Sequence, residues 1–147
     1  MRVFARPHQL PSRVAAGVFI LNSGLGKARA DEQTAAGTHQ MAAGVYPFLR
    51  DLDPRTFTAL LSKSEIALGA ALLAPMVPSL AAGAALTVFA GGLIGLYLKT
   101  PGLRQEGSVK PTPAGLGLAK DVWLLGIGLG LVLEELGDRI ASPYPVK

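Results

Sequence analysis

Residues 66–98, IALGAALLAPMVPSLAAGAALTVFAGGLIGLYL, run for 33 positions without a charged side chain. A bilayer core of about 30 Å is crossed by about 20 helical residues, so one helix cannot use the whole stretch. Pro75 and Pro78 lie near its middle, in APMVPS. Each lacks a backbone donor and fixes φ, which favours a tight break. The segment therefore predicts a helical hairpin, about 56–74 and 79–98. The second arm ends at Tyr97-Leu98-Lys99, an aromatic and a cation where a helix leaves hydrocarbon for headgroups. The first arm carries Lys63 and Glu65. Phe57, Leu60 and Leu61 extend the apolar pattern upstream of these charges, so both are expected to face protein rather than lipid.

Two further spans follow from the same argument. One covers 114–136; it opens after Pro111-Thr112-Pro113, has Lys120 and Asp121 near its start and closes at Glu134-Glu135. The other covers 10–26 and is uncharged from Val14 to Gly26. Arg2, Arg6 and Arg13 ahead of it, with Ala28-Arg29-Ala30 behind, have the outline of a cleavable signal peptide. Lys27 and Arg29 beside the would-be cleavage site argue against that reading, and the segment is expected to stay as a span. The predicted fold class is an all-α polytopic membrane protein. It is a four-transmembrane-helix bundle forming a single domain over 1–147, with a long first loop at 27–55 and a tail at 137–147.

Composition agrees. Half of the 147 residues are hydrophobic and 16% are charged, against about a quarter charged in a soluble domain. There is no cysteine, which removes disulfides, thiolate metal sites and Cys nucleophiles together. The net charge of +4 flanks apolar segments and forms no basic, aromatic-interleaved stripe, so nucleic acid is not an expected partner. If both termini share one side with the 75–79 turn, that side holds Arg2, Arg6, Arg13, Arg139 and Lys147. The other holds Lys27, Arg29, Arg50, Arg55, Lys63, Lys99, Arg104, Lys110 and Lys120. The excess leans toward cytoplasmic long loops.

In lipid, helices associate through small residues and interhelical hydrogen bonds. Gly91 with Gly95, and Gly126 with Gly130, are G-x-x-x-G pairs and the expected packing positions, with membrane lipids, other subunits and a homo-oligomer as candidate partners. The 34–49 stretch has no charge and suits an interfacial or re-entrant element. His8 and His39 lack supporting carboxylates nearby in sequence, and no metal site is expected. Alternating helix directions would bring Lys27, Glu65 and Asp121 together at one end. Such a cluster is either an ion-pair network that fixes helix order or a site for a quinone headgroup, a small anion or a proton. The uncharged third span and the lack of a second polar cluster speak against a transporter.

Three stretches carry a resemblance: RVAAGVF at 13–19 followed by SGLGK at 23–27, Glu65 opening a Gly/Ala-rich helix, and KDVWLLG at 120–126. Over about 13–136 the chain resembles the DoxX family of small bacterial membrane proteins. The resemblance implies a four-helix membrane protein in a redox or respiratory setting, either an accessory subunit without intrinsic catalysis or a quinone-linked component related to a thiosulfate:quinone oxidoreductase. It directs attention to Gly17, Gly24, Lys27, Glu65 and Asp121. The Ala-rich insert at 28–46 departs from the family pattern.

Overall fold

The computed structural model describes residues 4–141, and those residues are helical with no strand. Six α-helices follow in order: α1 (Leu10–Ala28), α2 (Glu32–Val45), α3 (Pro54–Leu73), α4 (Ser79–Lys99), α5 (Leu116–Lys120) and α6 (Val122–Ala141). α3, α4 and the continuous α5–α6 segment are each long and apolar enough to cross a membrane.

Local chemistry sets the boundaries. α3 starts where the Asp53 carboxylate accepts the Thr56 N–H and Pro54 occupies the first helical position, where its missing donor costs nothing. It stops at Ala74, whose ψ of 110° is extended because Pro75 follows. Thr100, ahead of Pro101, ends α4 in the same way, at ψ 122°. The proline-marked hairpin is thus present, shifted by one or two residues.

α1 runs antiparallel along α3, and α4 along α6, while contacts between these two pairs are far sparser. Glycines permit each close crossing. A Cβ on Gly69 would come 2.7 Å from the Leu21 nitrogen and 2.9 Å from the Gly17 carbonyl, and a Cβ on Gly128 would come 2.8 Å from the Thr87 nitrogen. Gly24 meets Glu65 and Ile66, and Gly83 meets Leu131. The expected G-x-x-x-G positions behave differently. Gly91, Gly126 and Gly130 have nothing within 4 Å of a built Cβ, and Gly95 meets only the Tyr46 side chain. Sequence spacing identifies glycines on one face but cannot say which face turns inward.

The two pairs are joined at one end by Arg13, which is fully buried. Its Nε donates to the Leu72 carbonyl at 3.0 Å. One terminal nitrogen donates to the Val77 carbonyl and Ser79 Oγ, both at 2.9 Å. The other donates to the carbonyls of Ala71 and Ala74, also at 2.9 Å. All five guanidinium donors are used. Four of the acceptors are main-chain oxygens at the end of α3 and in the proline turn, where orphan carbonyls carry the negative end of the helix dipole.

The first loop holds more order than a surface connection. Asp31 caps α2 by accepting the Thr34 N–H at 2.8 Å, a bond that holds its carboxyl below the ordinary value. α2 packs Ala35, Ala42 and Ala43 inward across α3 and α4. Tyr46 donates to the Gly92 carbonyl at 2.8 Å, within the C-terminal half of α4. The chain after Leu136 is not tail at first, because α6 continues to Ala141. Of the topology cations, Arg2 and Lys147 lie outside the described residues, as does the tail from 142 to 147.

Two outcomes are expected from unfolding melts in detergent. Gly128→Leu should cost about 2 kcal/mol through overpacking, whereas Gly130→Leu should leave the melt unchanged. Arg13→Lys should cost about 3 kcal/mol, because an ammonium with three donors leaves buried carbonyls unpaired.

Candidate functional site

At the end of the bundle opposite the proline turn, Lys27 and Glu65 meet. Lys27 Nζ lies 3.0 Å from Glu65 Oε1 and 3.1 Å from Oε2, and it donates to Ser23 Oγ at 2.7 Å. Glu65 is 2% exposed. The close approach depends on Gly24, where a Cβ would sit 2.9 Å from the Glu65 Cβ, and Ser62 Oγ fastens the crossing by donating to the Gly24 carbonyl at 2.8 Å.

Asp121 arrives from the other helix pair. It occupies the break between α5 and α6, where its carbonyl accepts the Leu124 N–H at 3.0 Å in a tightened turn. Lys27 and Glu65 are the charged groups whose field reaches it, but of the three residues expected to converge only Lys27 and Glu65 are in contact. The residue is 7% exposed, its carboxyl oxygens are not among the buried unpartnered atoms, and they make no hydrogen bond or ion pair among the described residues. Beside it, Phe19 of α1 meets Trp123 of α6 edge-on, with ring centroids 5.4 Å apart. A recess of about 690 Å³ reaches Lys27 from the side of α2, and its polar lining includes Ser62, Thr58, Arg55 and Lys63. Lys63 and Lys120 do not join the cluster. Both are exposed, and Lys63 lines the same recess as Lys27, with residues of α1 and α2, while Glu65 turns inward.

A second polar cluster occupies the opposite end, contrary to the sequence expectation. The Arg6 guanidinium reaches Glu134 at 2.7 Å, Glu135 at 3.4 Å and Asp138. His8 Nε2 lies 2.6 Å from Glu134. Gln9 binds Glu135 at 3.3 Å and accepts the Ser79 hydroxyl at 2.6 Å, which links this clasp to Arg13. The missed signal was the pairing of basic residues before the first span with acidic residues after the last. Arg13 gave no such signal, since its partners are carbonyls that carry no residue identity.

Between the two clusters lies a dry core. Ala16, Ile20, Leu72, Leu86 and Leu124 are at most 1% exposed and form one apolar group with Leu68, Ala82, Ala90 and Leu131. His39 is structural: its Nε2 donates to the Leu49 carbonyl at 2.8 Å and its ring packs edge-on against Phe57. No group of three His, Cys, Asp or Glu side chains among the described residues is arranged to hold a metal.

Comparison with protein-family models, with curated proteins and with solved structures returned no match.

Removing one partner of a buried pair strands the other charge, which costs about 4 kcal/mol. Lys27→Met is therefore expected to lower the unfolding midpoint strongly. The double variant Lys27→Met with Glu65→Leu should recover most of the loss, and the same melts in detergent measure both.

Proposed function

We propose that this chain is a multi-pass protein of a bacterial plasma membrane, with α1 as a fourth span, that serves as an accessory subunit anchoring or organising a redox or respiratory complex. The observation carrying this reading is the dry core that separates the two polar ends while large apolar side chains point outward. Val88 is 78% exposed and Leu133 65%, on helices long enough to span. A fold with no conduit and broad lipid-facing surfaces is suited to holding other membrane segments in place. α1 fits as a span because it lies along α3, directs Val14 and Val18 outward, and has both of its charges satisfied internally. The DoxX-like motifs at 13–27 and 120–126 support the redox setting.

One observation favours a second reading, a quinone-linked oxidoreductase component. A network that served only to order helices would satisfy each of its members. Asp121 instead makes no side-chain hydrogen bond or ion pair among the described residues, and its carboxyl is not sealed from the surface, which leaves it available to a headgroup.

Extraction from native membranes in a mild detergent, followed by mass spectrometry of the intact assembly, separates the two. The accessory reading expects stoichiometric protein partners without bound quinone. The second expects a small particle that carries quinone, and expects Glu65→Gln and Asp121→Asn to abolish quinone-dependent turnover at unchanged abundance. If both variants only lower abundance, the charges are structural.

A further inference from the structure

We propose that the recess beside Lys27 binds a small organic monoanion, with Lys63 as the cation that holds its charged head. The recess exists because α1 stops before the helix it packs against. Ser62 of α3 donates to the Gly24 carbonyl, and α1 ends one turn later, at Ala28. The first turns of α3 therefore extend past α1, and α2 crosses them instead, with Thr58 Oγ1 donating to the Ala35 carbonyl at 3.5 Å. Between the end of α1, the start of α2 and this face of α3, about 690 Å³ stays open. Pockets that hold small molecules span about 300–1,000 Å³. Asp121 does not line this space, so the recess is distinct from the quinone position considered above.

The charges in the lining pair off and leave one over. Lys27 is matched by Glu65 at 3.0 Å, and Arg55 by Glu32 at 3.1 Å. Asp31 accepts the Thr34 N–H at the start of α2, where the helix dipole is positive. Lys63 is exposed and has neither a hydrogen bond nor an ion pair among the described residues. Helical side chains lean over the turn N-terminal to them, which for Lys63 is the turn of Ala59, another residue of the lining. The free ammonium therefore stands over the open space, and one negative charge balances it. The rest of the occupant meets Ala28, Ala30, Ala35, Ala59 and Ile66, so an apolar body fits behind the charged head.

The full-length protein in dodecyl maltoside is titrated at neutral pH with 4-fluorobenzoate, and binding is read from the broadening of its fluorine resonance relative to empty micelles. Saturable binding is expected, and 4-fluorobenzyl alcohol, the same body without the charge, should bind about tenfold more weakly. Lys63→Gln should weaken the acid by about the same tenfold, since it removes one charge-assisted contact. Lys120→Gln, at an exposed cation outside the recess, should leave binding unchanged. Ala59→Phe, which grows into the open space from an exposed position, should block binding without shifting the melt. Equal binding of the alcohol, unchanged binding in Lys63→Gln, or no saturable binding overturns the proposal, and if the phenylalanine variant does not fold, Lys63→Gln decides alone. Repeating the titration in phosphatidylcholine nanodiscs with and without phosphatidylglycerol assigns the source. Displacement of the acid by phosphatidylglycerol makes the natural occupant a lipid head, and undiminished binding makes it a soluble acid; both uphold the monoanion. None of these readouts involves a protein partner or quinone, so their failure leaves the proposed function standing.

Discussion

Arg13 is a buried cation with no carboxylate, and the arrangement of the helices depends on how its charge is met. Four carbonyls from the end of α3 and the proline turn, and one serine from α4, take its five donors. Moving α1 along α3 by a single turn would part the buried guanidinium from its acceptors, at a cost of several kcal/mol. The register of the first helix pair and the position of the α3–α4 turn are therefore fixed by one side chain. Because the Ser79 hydroxyl in turn donates a hydrogen bond to the Gln9 side chain, the same contact extends to the Arg6 clasp on α6.

With that end pinned, the small residues decide the rest. Gly17 with Gly69, and Gly83 with Gly128, bring backbones into contact within each pair. No equally close crossing joins α3 to α4. The bundle is thus two dense pairs with a looser seam, tied by polar groups at both ends and dry between them. Lys27 and Glu65 belong to one pair and Asp121 to the other, so the candidate site straddles the seam where its parts are least constrained.

Much of this was legible in the sequence, for identifiable reasons. Pro75 and Pro78 marked the hairpin because a missing donor acts locally and needs no knowledge of neighbours. The meeting of Lys27 and Glu65 followed from alternating helix direction alone. The packing glycines were misread because their role depends on helix rotation, which a nearly uniform apolar helix does not encode. α4 shows this most plainly, being hydrophobic on every face. The Arg6–Glu134 clasp joins residues 128 positions apart, and nothing local to either announces the other. α2 was foreseen as an ordered segment, but its seat against Gly92 depends on a tyrosine reaching a main-chain oxygen.

The Arg13 contact also has a dimension in biosynthetic time. Its partner Ser79 lies 66 residues downstream, so at about 5–20 residues per second the first helix exists for roughly 3–13 s before that acceptor is made. Throughout that interval the guanidinium lacks this acceptor. The N-terminal helix therefore reaches its final contacts late, when the hairpin emerges, and the Arg6 clasp closes only once the last helix is complete. The order of synthesis and the order of assembly in this chain are different.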